Sequence, residues 1–425
     1  MLDIKILRTT PEVIRKDLEK RRDTAKLALF EEALQVDKEW LITKKEVDAL
    51  RAKRNSLSLQ ISEAKKKGQD ASAILKEAAE VPKLMAAKEL SLAELDEKIN
   101  KIMYALPNLL HESVPYGESD EQNVVVKKFG TPKTYNFPLK SHVDLLAELN
   151  LADIERAAKI SGARFWFLKE EAALLDLALQ QYGIDFMRKK GFTFVIPPYM
   201  MRNEPYQGVT SLGDFEEVLY KIEGEDLHPI ATAEHPLTAM HMGEVFEEKD
   251  LPLKLVGLST NFRKEAGSHG KDTKGIFRGH QFTKVEQVVL CKPEDSWKIH
   301  EELIQNAIEF FTSLGLHFQQ IMQCTGDIGI VAAKKYDLEA WMPNQNTYRE
   351  VVSCSNCTEY QARRLNIRYR ATDGVKHIHT LNSTVVATSR AIVAIMENNQ
   401  TKDGTIKIPD VLVPYMGGIT EIKRK

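Results

Sequence analysis

Cysteine is scarce in this sequence, with four residues (Cys291, Cys324, Cys354 and Cys357) in a chain of 425. So few cysteines do not build a disulfide framework and are typical of a reducing cytoplasm. No apolar run approaches the roughly 18 residues that cross a bilayer. The first ten residues lack the basic start and apolar stretch of a signal peptide. We therefore expect a cytoplasmic protein with no membrane partner.

Excess charge is also lacking, because 59 lysine and arginine residues are balanced by 61 aspartate and glutamate residues. A formal net charge of −2 excludes a globally basic nucleic-acid binder, so any such binding must come from local patches. Hydrophobic residues make up 43% of the chain, which is enough to bury a real core. At roughly 100–200 residues per domain, the length predicts two or three domains.

Glycine-rich nucleotide-binding motifs are missing. Residues 267–271 look like part of a P-loop, but Asp272 follows the lysine where serine or threonine is required. No G-x-G-x-x-G motif follows a strand pattern, and strands do not alternate regularly with helices. A doubly wound parallel sheet is therefore not expected.

Glycine is almost absent from residues 30–106, where Gly68 stands alone. Apolar residues follow helical 3/4/7 spacing on both sides of it: Trp40, Val47, Leu50, Leu57 and Ile61, then Leu84, Leu92, Leu95, Ile99, Ile102 and Leu106. Because Gly68 can end one helix and Asp70 or Ser72 can cap the next, we predict an antiparallel helical hairpin over about residues 30–105. About 35 residues per helix make an arm on the order of 50 Å long.

Two features of this arm leave alternatives open. Pro82 would either kink the second helix or begin a new segment. The same apolar spacing also fits a helical bundle or a dimerising coiled coil.

Basic residues cluster near the tip of the arm. Between residues 51 and 67, Glu63 is the single acid against six bases: Arg51, Lys53, Arg54, Lys65, Lys66 and Lys67. Such a cluster suits contact with nucleic-acid phosphates, although a solvated helix face has the same composition.

The rest of the chain changes character at about residue 140. Residues 107–140 contain the prolines and glycines of a linker with short strands, namely Pro107, Pro115, Gly117, Gly130, Pro132 and Pro138. Beyond them, strands are predicted over 195–198, 285–291 and 349–352, and helices over 174–190, 293–314 and 391–400. The sequence therefore predicts an N-terminal domain over 1–106, a linker over 107–140 and a mixed α+β domain over 141–425.

Charged and aromatic residues are densest between Asn261 and Glu286. The pattern predicts two strands, 253–262 and 276–290, joined by a polar loop that holds Gly267, Gly270 and Gly275. Alternate side chains of a strand share a face, so one surface carries Arg278, His280, Phe282, Lys284 and Glu286, and another Arg263 and Glu265. Arginines that clamp phosphates beside a ring that can stack on a base favour a nucleotide site. An exposed hairpin with alternating charges is the alternative.

These residues resemble motif 2 of the class II aminoacyl-tRNA synthetases, and within that class the seryl branch. The resemblance rests on Phe262, Arg263 and Glu265, then Gly275 to Arg278 and His280 to Phe282. Further pieces follow the family's order: 190–199 resembles motif 1, 232–234 the serine-binding signature, 350–357 a metal- and ATP-contacting strand, and 382–400 motif 3. Together with the arm, the resemblance extends over essentially the whole chain.

The resemblance implies a catalytic domain built on an antiparallel sheet flanked by helices, which uses ATP and Mg²⁺ to join L-serine to tRNA through seryl-adenylate. The implied catalytic residues are Arg263, Glu350 and Arg390. The implied ATP-binding residues are Arg263, Lys264, Glu265, Arg278, Gly279, His280, Gln281, Phe282, Glu350, Val351, Val352, Ser353 and Arg390. The implied serine-binding residues are Thr232, Ala233, Glu234, Arg263, Glu286, Asn382 and Thr384, and the implied Mg²⁺ ligands are Glu350 and Ser353. Gly279 departs from the family, which usually has a larger apolar residue there, so we expect its backbone to act.

By the same resemblance we expect a homodimer formed through motif 1, whose arm grips the long variable arm of tRNA(Ser). Serylation of tRNA(Sec) is a further function within the family. An adenylating paralogue that loads serine or another amino acid onto a carrier protein would keep the motifs without needing the basic arm. A coiled-coil scaffold with a decayed synthetase body is the non-enzymatic alternative.

Cys354 and Cys357 form a C-x-x-C pair. Zinc needs four ligands, which His377 and His379 would have to complete. A redox role would need a βαβ context that is missing. We expect these cysteines to pack beneath the ATP site.

Overall fold

The computed structural model describes residues 1–210, 218–265 and 274–424. They form two compact units, Met1–Leu109 and Leu110–Lys425. The loop glycines Gly267 and Gly270, and the P-loop-like residues 267–271, lie outside the described residues. Within the described ranges, no helix combines the length and the apolar character needed to span a bilayer.

The first unit is helical. Its helices are α1 (Ile4–Thr9), α2 (Pro11–Arg21), α3 (Thr24–Lys66) and α4 (Ser72–Ala105). The turn between the two long helices is set by Gly68, whose φ of +67° is left-handed, and by Asp70, which accepts hydrogen bonds from the backbone N–H and the hydroxyl of Ser72. The predicted hairpin is therefore present as α3 and α4.

The apolar stripes of α3 and α4 meet along the hairpin, where Val47, Leu57 and Ile99 are buried. Leu84 was wrongly placed in the stripe, since it is 58% exposed while Val81 is buried. The buried row of α4 continues from Val81 with helical spacing, which turns Leu84 toward solvent. Pro82 lies at an exposed position inside α4, so it does not begin a new segment.

Salt bridges join the two arm helices outside the apolar stripe. Arg51 pairs with Glu89 at 2.8 Å and Lys53 with Glu77 at 2.6 Å. Arg54, Lys65, Lys66 and Lys67 are exposed. All six basic residues singled out in the sequence therefore lie on the surface of α3 or just past its end, but two of them already have acidic partners.

The second unit combines helices with a large sheet. Its α-helices are α5 (His142–Glu148), α6 (Ile154–Ser161), α7 (Glu170–Lys189), α8 (Asn203–Val209), α9 (Glu234–Ala239), α10 (Ser296–Ser313), α11 (Tyr360–Leu365) and α12 (Thr388–Asn399). Short 3₁₀ helices lie at Asp120–Gln122, Glu248–Asp250, Pro293–Asp295 and Asp410–Met416.

The strands of this unit are β1 (Val124–Phe129), β2 (Ala152–Asp153), β3 (Phe167–Leu168), β4 (Thr193–Val195), β5 (Met200–Met201), β6 (His228–Pro229), β7 (Val245–Glu247), β8 (Leu253–Phe262), β9 (Gln281–Cys291), β10 (Phe318–Met322), β11 (Lys334–Met342), β12 (Thr347–Asn356), β13 (Arg368–Ala371), β14 (Gly374–His377), β15 (His379–Ala387), β16 (Ile406–Lys407) and β17 (Glu421–Ile422). Eight of them form one sheet in the order β1-β10-β11-β12-β15-β9-β8-β4. Every pair in it is antiparallel except β4 with β8. The predicted α+β class with an antiparallel sheet is confirmed.

The central strand β9 separates two cores by side-chain alternation. Val285 and Val289 belong to a large core with residues of α7, α10 and α12, including the fully buried Phe310. Val288 and Leu290 belong to a second core with residues of α8 and α11. Because successive side chains point to opposite faces, the even-numbered polar residues of β9 lie on the face of the second core.

Residues of the segment 107–140 contribute to this sheet as well. β1 pairs with β10 along the edge, with a bulge between Val125 and Lys127. From Leu110 onward, this segment belongs to the second compact unit.

His300 on α10 gives a testable pH dependence. It is fully buried, its Nε2 lies 3.1 Å from the Cys354 carbonyl oxygen, and burial lowers its pKa to about 4. The unfolded chain takes up a proton below about pH 6.5, whereas the folded protein does not until pH approaches 4. We expect the free energy of unfolding to fall by roughly 1.4 kcal/mol per pH unit from this residue as pH drops below about 6.5.

Urea denaturation of the wild type and of His300→Gln at pH 7, 6 and 5 measures this effect. The variant should show a shallower pH dependence, by about one proton. An identical slope in both proteins would contradict a buried neutral His300.

Candidate active site

A cavity of about 740 Å³ opens on the even-numbered face of β9. Fourteen of the sequence-predicted site residues line it: Thr232, Glu234, Arg263, Glu265, Arg278, Gly279, Phe282, Glu286, Glu350, Val351, Ser353, Asn382, Thr384 and Arg390. Thr232 and Arg390 are the first and the last of these residues in the chain, and they are 158 positions apart. The sheet thus brings the separate motifs to one site.

Five of the residues predicted to bind ATP or serine do not line the cavity, namely Ala233, Lys264, His280, Gln281 and Val352. Val352 is in the large core and Ala233 in the second core. Lys264 and Gln281 are exposed. The imidazole Nδ1 of His280 lies 2.8 Å from the Arg263 carbonyl oxygen, so His280 supports the motif 2 backbone instead of facing the cavity.

A bulge in β12 sets the orientation of two predicted metal ligands. Glu350 and Ser353 are three residues apart, so a regular strand would point them to opposite faces. The register between β11 and β12 shifts at Leu338 and Glu339, and Val351 is left without a paired residue. This extra residue allows Glu350 and Ser353 both to line the cavity.

Glu350 pairs with Arg390, which lies in the first turn of α12. The Arg390 Nη1 is 3.3 Å from the Glu350 carboxylate and donates to the Glu350 carbonyl at 2.9 Å. Burial alone would raise the pKa of Glu350, but Arg390, Lys335 and Arg263 together lower it below its usual value. Glu350 is therefore ionised at neutral pH.

Arg263 is fixed by the loop before α9 and by β9. Its Nε donates to the Ala231 carbonyl at 3.2 Å, and its guanidinium carbon lies 5.2 Å from the centre of the Phe282 ring. Burial and the nearby Arg390 charge lower the pKa of Arg263 below its usual value. Two guanidinium groups that repel each other in one cavity favour an anionic ligand between them.

A second ion pair of an arginine with a glutamate lines the cavity. Arg278 and Glu265 approach to 3.4 Å. Next to them, Gly279 packs under the Trp166 ring, where an added Cβ would lie 2.1 Å from Trp166 Cζ3. A larger residue therefore cannot stand at position 279 in this chain, which explains its departure from the family pattern.

A buried acid, Glu286, lines the cavity from β9. Lys284 lies 2.5 Å from Glu286 Oε2, and the Thr384 hydroxyl donates to the same oxygen at 3.2 Å. The Thr384 contact follows from the register of β9 with β15, which places Glu286 opposite Thr384, and the Lys284 contact joins side chains on the same face of β9. Burial raises the pKa of Glu286, while Lys284 lowers it. This part of the cavity can bind a small ligand with hydrogen-bond donors.

Metal binding can be judged from the donor set. In the ranges that the structure covers, no group of three or more His, Cys, Asp and Glu residues could hold a metal ion. Glu350 and Ser353 supply two hard oxygen donors, which fits Mg²⁺ that takes its remaining ligands from phosphates and water. Cys354 and Cys357 are buried thiols whose pKa values are raised by burial, so they do not offer thiolates.

Lys335 also lines the cavity, and sequence reasoning missed it. It lies on β11 opposite Ser355, and its Nζ is 3.9 Å from Asp337. Burial alone would lower the pKa of Lys335, but Asp337 and Glu350 raise it above its usual value. Its position depends on a strand register that no sequence motif reveals.

Tyr206 on α8 connects three site segments. Its hydroxyl accepts from the Ala231 N–H at 3.2 Å and lies 3.0 Å from His235 Nδ1. Burial lowers the pKa of His235 to about 3, so this imidazole is neutral, and its Nδ1 shares a hydrogen bond with the Tyr206 hydroxyl. Because the Ala231 carbonyl accepts from Arg263, Tyr206 indirectly positions that guanidinium group.

The fold and this cavity are those of a class II aminoacyl-tRNA synthetase. Residues 219–399 match the model of the tRNA synthetase class II core domain (G, H, P, S and T). Residues 1–110 match the seryl-tRNA synthetase N-terminal domain. The serine–tRNA ligase of Methanocella arvoryzae is 54% identical over 422 residues, which covers 99% of each chain. The chain therefore belongs to the seryl-tRNA synthetase family, as the sequence motifs predict.

Solved structures agree with this assignment. Seryl-tRNA synthetase from Pyrococcus horikoshii, complexed with ATP, has a TM-score of 0.97 and 48% identity, with 100% of both chains covered. Cytoplasmic serine–tRNA ligase from Naegleria fowleri, in complex with AMP, has a TM-score of 0.90 and 36% identity, with 100% of this chain and 99% of the other covered.

Tyr206→Phe tests the Tyr206 contacts. The variant leaves the Ala231 N–H and the His235 Nδ1 without the hydroxyl, so we expect it to lose about 1–3 kcal/mol of unfolding free energy. Urea denaturation measures the loss. Tyr116→Phe, at a position 39% exposed, is the control and should change stability by less than about 0.5 kcal/mol. Equal effects of the two substitutions would contradict the proposed connection.

Proposed function

We propose that this protein joins L-serine to tRNA(Ser) in two steps. The serine carboxylate attacks the α-phosphate of ATP, which gives seryl-adenylate and releases pyrophosphate. The terminal adenosine hydroxyl of the tRNA then attacks the seryl carbonyl, and AMP leaves. The observation that carries this proposal is one cavity lined by the Glu286–Lys284 pair, the Glu350–Arg390 pair and Arg263.

Arg263 and Arg390 are suited to the triphosphate. Arg263 would bridge the serine carboxylate and the α-phosphate. Its guanidinium group is held in the cavity by the Ala231 carbonyl and lies beside the Phe282 ring. Arg390 would hold the γ-phosphate, and its place in the first turn of α12 adds the favourable field of a helix N-terminus. These charges lower the barrier by stabilising the negative charge that develops during transfer.

The adenine base is assigned to the end that holds Glu265 and Phe282. The Phe282 ring offers a stacking surface, and the Glu265 carboxylate can accept from the adenine amino group. Arg278 holds that carboxylate at 3.4 Å and so limits its orientation. Glu350 and Ser353 would hold Mg²⁺, which supplies positive charge between phosphate oxygens when bound.

Serine is assigned to the end that holds Glu286 and Thr384. The buried Glu286 carboxylate can accept hydrogen bonds from the ammonium or hydroxyl group of serine. Thr232, Glu234 and Asn382 line the same cavity. Sites that hydrogen-bond a substrate hydroxyl from buried groups strongly reject an analogue without it. Alanine should therefore be a poor substrate.

Homodimer formation through motif 1 is part of this proposal. Ile196, Tyr199 and Met200 follow β4 at the sheet edge and are exposed, as is Leu177 on α7. Exposed apolar side chains near each other in the chain support a protein contact on this surface. Serylation of tRNA(Sec) and a cytoplasmic location stay predictions. The carrier-protein alternative is not favoured, because the residues of the arm match a synthetase N-terminal domain.

Exchange of pyrophosphate into ATP tests the first step. We expect exchange that depends on serine, and Arg390→Ala should reduce it roughly 100-fold or more because a preorganised charge is lost. Arg370→Ala, at a side chain 62% exposed on β13, is the matched control and should keep wild-type exchange. Exchange with threonine or alanine but not with serine would refute the substrate assignment.

Replacement of the arm-tip lysines tests the tRNA role. Lys65, Lys66 and Lys67, changed together to alanine, should raise the KM for tRNA(Ser) roughly tenfold or more, because phosphate contacts are lost. Serine-dependent pyrophosphate exchange should not change. The control replaces Lys83, Lys98 and Lys101 of α4, which pair with Glu80, Glu32 and Glu97. If both triple variants aminoacylate tRNA like the wild type, the tip does not contact tRNA.

A further inference from the structure

Glu234 lines the cavity at the first position of α9 and is partly buried. Burial raises its pKa, and the charge of Glu286 raises it further, whereas Lys284 and Lys335 lower it. A hydrogen-bond donor keeps a partly buried carboxylate ionised and in one orientation. A neighbouring side chain that donates to Glu234 would therefore set the orientation of its carboxylate.

Gln361 on α11 supplies this donor. This residue is 1% exposed, and its Nε2 donates to Glu234 Oε1 at 3.0 Å and to the Val209 carbonyl at 2.9 Å. On the other side of the amide, the Thr380 hydroxyl donates to Gln361 Oε1 at 2.6 Å. The amide thus joins three elements, α8, α9 and β15, around one end of the cavity.

These partners permit one orientation of the Gln361 amide. The Val209 carbonyl can only accept, so the atom that faces it must be the NH₂ group. A flipped amide would place its oxygen against both that carbonyl and the Glu234 carboxylate. Because the NH₂ group is fixed in this way, the Glu234 oxygen that faces it must act as an acceptor.

The C-terminal end of α8, which forms the neighbouring wall of the cavity, is held independently of Gln361. Arg364, one turn further along α11, donates to the carbonyls of Gln207 and Thr210 at 3.2 and 3.1 Å. The C-terminal end of α8 would thus keep its main anchor if the Gln361 amide were changed. The specific consequence of such a change falls on Glu234.

We propose that Gln361 is a positioning residue for amino-acid recognition, which holds the Glu234 carboxylate as an acceptor for the donor groups of serine. This inference rests on the proposed function, since it requires serine at this end of the cavity. Thr380 belongs to the same unit, because its hydroxyl fixes the Gln361 oxygen.

The test is a comparison of KM values for serine and for ATP in pyrophosphate exchange. Gln361→Glu keeps the size of the side chain but turns the donor into an acceptor that faces Glu234. We expect the KM for serine to rise at least tenfold and the KM for ATP to stay within twofold of the wild type. Thr380→Val should raise the KM for serine in the same direction, and Thr380→Ser, which keeps the hydroxyl, should restore it.

Gln287→Glu is the matched control. Gln287 on β9 is also a fully buried glutamine, but its amide is bonded to the Leu303 carbonyl and to Asn306, away from the cavity. A purely structural role for Gln361 predicts that both substitutions lower thermal stability and neither changes the ratio of the two KM values. If Gln361→Glu does not fold, the Thr380 pair decides.

The outcomes are distinct. Serine-dependent exchange in the wild type, with an unchanged KM for serine in Gln361→Glu and Thr380→Val, would overturn the inference alone. Equal rises of both KM values would overturn it too. A wild type without serine-dependent exchange would overturn the proposed function, and this inference with it.

Discussion

The geometry of the cavity depends on pairs of oppositely charged side chains along its wall. Glu286 pairs with Lys284, Glu265 with Arg278, and Glu350 with Arg390. Lys284 and Glu286 are buried, where a lone charge would be costly and the pair offsets part of that cost, whereas Glu350 is 45% exposed and its contact with Arg390 mainly fixes the geometry of both side chains. A ligand that enters therefore meets side chains whose orientation is already set, and little reorganisation is needed during the reaction.

Much of this architecture was predictable because it follows from local patterns. Scarcity of glycine and helical spacing predicted the arm, and alternation along β9 predicted that Phe282, Lys284 and Glu286 share a face. The sequence did not reveal the bulge at Val351, because an unpaired residue is defined only relative to the neighbouring strand. Motif resemblance placed Glu350 and Ser353 at one site without a physical reason, and the bulge supplies it. The prediction for Leu84 was wrong for a different reason. Val81 and Leu84 are both apolar and both fit helical spacing, so the sequence alone did not show which of them is buried.

The polar supports of the site could not be predicted. Tyr206 reaches Ala231 and His235, and Gln361 reaches Glu234 across 127 positions of the chain. Neither residue belongs to a charge cluster or has a spacing that indicates function. Each is recognisable only when tertiary structure shows which buried hydrogen-bonding groups it satisfies. The residues that touch a substrate are thus easier to infer from sequence than those that hold them in place.

The contact between Gly279 and Trp166 constrains how this sequence can vary. A Cβ at position 279 would lie 2.1 Å from the indole ring and 2.8 Å from the Arg164 carbonyl oxygen, so a side chain there requires both the ring and the backbone at Arg164 to shift. A smaller residue at position 166 beside Gly279 would leave a void, whereas a larger residue at position 279 beside Trp166 would clash with the ring. Positions 166 and 279 are therefore coupled in this chain, and the residue that either one accepts depends on the other.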